Sequence, residues 1–329
     1  MKILIIKTSS MGDVIHALPV AHDIREALPE AEIHWAVEES FRDIPTLSPA
    51  VSRIQVTAFR RWRKTPLARS VRDEVRALKT ALREEKYDLV LDIQGLMRSA
   101  LVARWTGVPS TGYTRETIRE PLASFFYAKH LDLPESLGAV RRYRMAAAAA
   151  LGYDIDENKP VFGLRASAEP PLPVPEGTVS FAVNTSRDEK LWPEANWIEL
   201  GRALAQERPG RELHFYWGSA RERERVERIA GAIPGGVVAP RASLASLASA
   251  IARSEAVVGV DTGLSHLAAA LGRPSVGIFV STPTETLQLI GDGPTTSLGG
   301  VSRCPSVEEV RAALDGVRRA AKETNTNES

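Results

Sequence analysis

One cysteine, Cys304, stands in a chain of 329 residues, and aromatic residues make up only 6%. A lone thiol excludes an intramolecular disulfide framework and a cysteine-rich metal site, and it fits a reducing compartment. Charge of one sign is missing as well: 42 Lys and Arg stand against 41 Asp and Glu, a formal net charge of +1. No overall field draws the chain to nucleic acid or to anionic lipid, so a basic partner site must be local. Long apolar runs are also absent. Nothing approaches the roughly 18 consecutive apolar residues that cross a bilayer. The opening MKILIIK is too short for a secretory signal before a turn intervenes. What remains, 43% hydrophobic and 25% charged residues, is the composition of a folded, soluble, cytoplasmic protein long enough for two domains.

Short β-rich runs alternate with helical stretches. Strands are expected at Ile3–Ile6, Ile33–Val37, Ile54–Ala58 and Leu89–Ile93, and a helix from Asp13 to about Leu28. A second helix shows an apolar face of Val71, Val75, Leu78 and Leu82, a helical spacing. Residues 96–106 and 115–129 read as helical pieces, and Val140–Leu151 as a longer helix. Residues 154–177, rich in Pro, Asp, Glu and Gly, form the expected linker, with prolines at 170, 171, 173 and 175. A second alternation follows, with strands at Val179–Val183, Leu213–Trp217, Val237–Val238, Ala256–Val260 and Val276–Val280. Helices fall at 194–207, 219–231, 242–253 and 264–271, and a last one at about 306–322 is free to pack back on the first domain. The tail TNTNES is expected to be disordered. The fold class is α/β. Two doubly wound parallel-sheet domains, 1–153 and 178–329, face each other across a cleft where strand C-termini meet.

The loop KTSSMGD at 7–13 occupies the place of a dinucleotide-binding loop but holds a single glycine, Gly12, where that fingerprint needs three. Asp13 reads on chain physics as the N-cap of the following helix, and a cap at a strand end still faces the cleft. VDTGLSHLAAALGRP at 260–274 is a strand, a tight turn and a helix. Free N–H groups at such a helix start form an anion site, with Thr262, Gly263 and Ser265 in it. Asp261 would repel a diphosphate there, so it is expected to accept backbone N–H bonds and hold the loop. His266 reads as packing or loop support. Lys190, in a polar loop with Thr185 and Ser186 nearby, can neutralise a leaving anion without metal, although most lysines are merely solvated. RRWRK at 60–64 packs Arg60, Arg61, Arg63 and Lys64 around Trp62. This is either a solvated basic loop or a site for phosphate and carboxylate groups. Arg98 and Arg119 lie in the same half. Asp154 and Asp156 form a DxD string in the linker, more consistent with surface than with metal, and the six histidines lack paired ligand spacing.

TSSMGD, RRWRK, DIQGLMRSA at 92–100, IREPLASFFY at 118–127, DEKLWPEANW at 188–197, WGSARERER at 217–225 and VDTGLSHLAAALGRP occur in one order across nearly the whole chain. In that order they resemble the lipopolysaccharide heptosyltransferase I family of glycosyltransferases, family 9, which has the GT-B fold. The match thins at 131–178 and after about 283. Gly138-Ala139-Val140 stands where the family commonly has His-Ala-Val, and STPTE after Val280 departs from its usual Gly-Pro-Thr turn. The resemblance implies an inverting, metal-independent transfer of heptose from ADP-L-glycero-β-D-manno-heptose to the Kdo residue of lipid A, by a protein peripheral on the inner membrane, with no cofactor. It implies Asp13 as base, with Ser10, Gly12, Arg60, Arg61, Arg63, Lys64, Arg98 and Arg119 toward the acceptor in the first domain. It places Thr185, Ser186, Lys190, Glu222, Asp261, Thr262, Gly263 and His266 at the donor; Glu222, otherwise a solvated charge, would hold ribose hydroxyls. The rivals are a later-step heptosyltransferase, a nucleotide-sugar epimerase of the same fold, and a nucleotide sensor without turnover.

Overall fold

The computed structural model describes residues 1–166 and 172–327, and the chain divides into two compact units, Met1–Gly163 and Leu164–Ser329. In the first, the strands are β1 (Lys2–Ile6), β2 (Glu32–Glu38), β3 (Val51–Thr57), β4 (Leu89–Asp92), β5 (Ser110–Tyr113) and β6 (Lys129–Leu131). Its helices are α1 (Met11–Ala17), α2 (Pro19–Ala27), α3 (Phe59–Trp62), α4 (Arg69–Glu84), α5 (Met97–Trp105) and α6 (Ala139–Leu151). The second unit carries β7 (Val179–Ala182), β8 (Leu213–Phe215), β9 (Gly236–Val238), β10 (Ala256–Val260), β11 (Ser275–Phe279) and β12 (Thr295–Gly299). With them come α7 (Glu194–Glu207), α8 (Ala220–Gly231), α9 (Leu244–Arg253), α10 (Gly263–Ala270), α11 (Thr284–Leu287) and α12 (Val307–Asn327).

Each unit holds one six-stranded parallel sheet. The strand orders are β3-β2-β1-β4-β5-β6 and β12-β11-β10-β7-β8-β9, so the second repeats the topology of the first. Ile3 to Ile6 of β1 are fully buried because helices cover both faces of a parallel sheet. Beneath the first sheet α4 contributes Val71, Leu78 and Leu82 to the core, while its other face is charged. In the second unit, Trp192 and Trp197 meet edge to face at 4.9 Å beside Phe181. Helix α12 buries Val310, Leu314 and Val317 in that same core, so its apolar stripe is used within its own unit.

Several elements depart from the sequence-based expectation. The helix expected over 13–28 is two helices: Pro19, at the first position of α2, has no N–H to continue the ladder. Residues 115–129 are not an α-helix. They hold a 3-10 turn at Pro121–Phe126 flanked by β5 and β6, two strands whose polar composition gave no apolar run. β12, TTSLG, was invisible for the same reason. The tail stays helical to Asn327, its last turn held by Thr324 and Thr326 hydroxyls donating to Ala320 O and Lys322 O. Pro170 and Pro171 of the expected linker, and Glu328 and Ser329 of the tail, lie outside the described residues.

Candidate active site

In a doubly wound sheet ligands bind at the strand C-termini where the order reverses. That point lies between β1 and β4 in the first unit and between β7 and β10 in the second. Both are occupied by a lysine and an aspartate.

In the first unit the loop after β1 is fastened to the loop after β4. Gln94 Oε1 accepts from Thr8 N at 3.0 Å and Ser9 N at 3.1 Å. Asp92, fully buried, accepts from Gln94 N, Gly95 N and the Tyr127 hydroxyl. Burial pushes its carboxyl upward while these bonds oppose the rise. Asp13 is not the N-cap. Ser10 takes that place and Asp13 is the third helical residue, its Oδ2 reaching back to Ser10 N at 3.0 Å and Ser10 Oγ at 2.7 Å. Its Oδ1 faces the Lys7 ammonium at 3.8 Å and the Tyr143 hydroxyl at 3.4 Å. Burial alone would raise the Asp13 carboxyl; Lys7 and the Ser10 bonds outweigh it and hold the group below its usual range. Lys7 is 3% exposed, and burial pushes its ammonium down to about 8. Arg98 donates to Ser9 Oγ at 2.8 Å, and its Nε is buried with no hydrogen-bond partner. Arg119 is exposed, close enough for its charge to act on Lys7. Ser10, Gly12, Asp13, Arg98 and Arg119 thus gather near the C-terminal ends of the central strands β1 and β4.

RRWRK is the short helix α3 and the residues after it, at the end of edge strand β3. Glu38 accepts from Phe59 N and Arg60 N and so caps it. Trp62 is buried in the core, its Nε1 donating to Glu74. Arg61 is not a free cation: it bonds Glu39 and Glu74 together. Arg60 lies over the Phe41 ring, and Arg63 and Lys64 are exposed, with no ion pair among the described residues.

In the second unit Lys190, on a 3-10 turn at Asp188–Lys190, bonds Asp261 Oδ2 directly. Thr282 Oγ1 donates to the same oxygen at 2.9 Å, and His266 Nε2 lies 3.6 Å from Oδ1. Burial would raise this carboxyl, but His266, Lys190 and Thr282 hold it far below the usual carboxylate range. Asp261 therefore collects side-chain donors, not the backbone N–H groups expected of it. Thr185 Oγ1 donates to Asp261 O at 3.0 Å, and Ser186 is exposed beside it. Thr262 is the N-cap of α10 and Gly263 its first residue, with no side-chain cap on the helix start; such a start leaves N–H groups without intrahelical partners. Ser265 adds nothing there, since its hydroxyl donates inward to Val260 O at 2.7 Å. That packing needs Gly259: a Cβ would sit 2.2 Å from Ser265 Oγ. Glu222 closes a capping box at the start of α8, Oε2 accepting from Gly218 N and Ser219 N.

Glu32, His34 and Glu85 place ligand atoms within 4.8 Å of one another at the opposite end of the first sheet. Lys2 and Arg53 already neutralise those carboxylates. Asp154 and Asp156 are exposed, and Asp156 Oδ1 accepts from Asn158 N. Sequence reasoning missed Lys7, Tyr143, Gln94 and Thr282. Lys7 stood inside the KTSSMGD string, whereas Tyr143, in the RRYR run of α6, gave no signal.

Two Rossmann-like sheets of repeated topology, each with a charged cluster at its switch point, define a transferase-type α/β protein of GT-B architecture. The model of glycosyltransferase family 9 (heptosyltransferase) matches residues 75–313, and the chain belongs to that family. It is 42% identical to lipopolysaccharide heptosyltransferase 1 of Pseudomonas aeruginosa over 85% of this chain and 78% of that one. It is 39% identical to lipopolysaccharide heptosyltransferase 1 of Salmonella typhimurium over 96% and 97% of the two. Among solved structures, E. coli heptosyltransferase WaaC with ADP matches at a TM-score of 0.87 and 34% identity, over 96% of this chain and 99% of that one.

Proposed function

We propose that this protein transfers L-glycero-D-manno-heptose from ADP-heptose to the Kdo residue of lipid A, in a single inverting displacement without metal. The carrying observation is Asp13. It is a carboxylate held below its usual range at a switch point, with one oxygen tied to Ser10 and the other facing the Lys7 ammonium and the Tyr143 hydroxyl; its side chain is 36% exposed. The acceptor hydroxyl oxygen bonds to the heptose anomeric carbon as the carbon–oxygen bond to ADP breaks, and Asp13 takes the hydroxyl proton. ADP leaves with the electron pair. Its charge is met by Lys190 and the first N–H groups of α10 at Thr262 and Gly263. Asp261 does not repel the diphosphate, because Lys190, Thr282 and His266 already satisfy it. Thr185, Ser186 and Glu222 complete the donor side in residues 178–329.

Residues 1–153 receive the acceptor through Ser10 and Gly12 and through the cations Arg60, Arg63, Lys64, Arg98 and Arg119, which suit Kdo carboxylate and lipid A phosphates. Arg61, committed to Glu39 and Glu74, has the smaller share. The relatives' names support this choice of reaction. Among the described residues no helix is long and apolar enough to cross a membrane; in this reading the protein meets the cytoplasmic face of the inner membrane peripherally. The exposure of Leu122 and Phe125, 62% and 70%, supports contact with headgroups; Tyr127 is buried and takes no part. The test is incubation with ADP-heptose and Kdo-lipid A in excess EDTA, with products weighed by mass spectrometry. One added heptose is expected. Donor turnover without acceptor product would point to an epimerase, no turnover to a nucleotide sensor, and rescue by added Mn²⁺ or Mg²⁺ would overturn the metal-free mechanism.

A further inference from the structure

Lys7 and Asp13 carry opposite charges at one strand end, yet they do not touch. A contact between ammonium and carboxylate closes to about 2.7–2.9 Å; here Nζ stands 3.8 Å from Oδ1. The Tyr143 hydroxyl bonds to both. Lys7 Nζ donates to it at 2.6 Å, and it donates onward to Asp13 Oδ1 at 3.4 Å. The ammonium also lies 4.2 Å from the centre of the Tyr143 ring, a second attraction that keeps it on the tyrosine.

Tyr143 is itself held in place. On its two sides in α6, Arg144 makes two bonds to Asp23 of α2, at 2.7 and 3.0 Å, and Arg142 donates to Leu133 O while covering the Tyr113 ring at 3.8 Å. Burial keeps the Tyr143 phenol neutral by raising it well above its ordinary value. Oδ2 of Asp13 is committed to Ser10, so Oδ1 is the oxygen left for a substrate proton.

We infer that Tyr143 is a positioning residue for Asp13: its hydroxyl holds the Lys7 ammonium out of contact with Oδ1, leaving a lone pair of that oxygen for the substrate proton. The inference rests on the reading of Asp13 as base. At 3.8 Å the lysine favours the ionised carboxylate; in contact it would occupy a lone pair and weaken the base.

Tyr143→Phe keeps the ring and removes the spacer. With Lys7 released onto Oδ1, kcat is expected to fall about tenfold, a part of the roughly 10²–10⁴-fold that general-base catalysis is worth. KM for ADP-heptose stays unchanged, and the acid limb of the kcat/KM profile moves to lower pH. The other charges facing the pair, His16 on α1, Asp92 at the end of β4, Arg142 on α6 and Arg119, are common to both proteins. Adding Lys7→Met to Tyr143→Phe removes the intruding ammonium, so the acid limb should move back up. A Tyr143→Phe enzyme with wild-type kcat and profile would overturn the inference. So would a variant that melts lower and loses activity while its acid limb stays put, or a double variant whose limb does not return. Asp13→Asn separates the two readings: if it stays active the base assignment itself falls, and if it is dead while Tyr143→Phe is silent, only the spacer falls.

Discussion

The same topology occurs twice in this chain, and at each switch point a lysine is set against an aspartate, but the two pairs are built in opposite ways. In the second unit Lys190 and Asp261 are in contact, with side chains 13% and 10% exposed, and the carboxylate takes two further donors. It is saturated, and its use is to brace a cation. In the first unit the charges are held apart, the aspartate is over a third exposed, and one of its oxygens is uncommitted by Ser10. A carboxylate closed by donors is structural scaffolding for anion binding; one left half open can accept a proton. Residue type alone does not distinguish them.

The sharpest way to break the comparison is Asp13→Asn. Asn keeps an oxygen for Ser10 N, so α1 should start normally and the melting temperature should barely move. The base is gone, and kcat should fall by about 10²–10⁴. Near wild-type turnover would make both aspartates structural. Lys190→Met should behave the other way in stability. Removing one partner of a buried pair costs about 3–5 kcal/mol, read as a lower urea midpoint. The folded Asp261 pKa is depressed, so its contribution is present above its unfolded value near 3.8 and is lost only as pH falls through the folded one. Without Lys190 that acid loss should begin at higher pH. A variant as stable as wild type, with unmoved acid sensitivity, would show the pair to be incidental.

The contrast between the pairs was not legible in the sequence, although much of the frame was. Runs such as Ile3–Ile6 and Ala256–Val260 are buried on both faces and announce themselves as apolar; β5 and β12, made mostly of Ser, Thr and Gly, do not. Asp13 was legible as a helix-start residue, but its exact place depended on whether Ser10 or Asp13 took the cap, which a backbone turn decides. RRWRK was legible as a cation cluster, yet Glu39 and Glu74, which claim Arg61, come from β2's end and α4. Tyr143 reaches Asp13 from 130 residues away, a contact only tertiary packing creates.

The basic cluster offers a middle-sized test of the acceptor side. Arg63→Ala or Lys64→Ala alone should raise the acceptor KM by about one to two decades, a lost charge-assisted contact being worth roughly 1.5–3 kcal/mol. Arg61→Ala should do less to KM, because its guanidinium is already satisfied by Glu39 and Glu74. If Arg61→Ala raised KM most, those ion pairs must open when acceptor binds; if only the donor KM moved, the acceptor would not belong to residues 1–153.

The smallest effect is a slope with pH, and it tests the separation of Lys7 from Asp13 without any substrate. Burial lowers the folded Lys7 pKa from 10.5 to about 8. Between those values the unfolded chain binds a proton that the folded one has released, so stability gains as pH rises, by up to about 1.4 kcal/mol for each pH unit. Below about pH 8 the burial cost of the ammonium is fully present. Lys7→Met has no such group, so common titrations cancel when the two unfolding free energies are subtracted. The variant should hold its largest relative stability below pH 8, and the difference should shift toward wild type between pH 8 and 10.5. Were Lys7 in full contact with Asp13, its ammonium would be stabilised, and the difference would stay flat until the pH passed the ordinary lysine range. A flat difference would therefore place Lys7 in the same arrangement as Lys190 and erase the distinction between the two units.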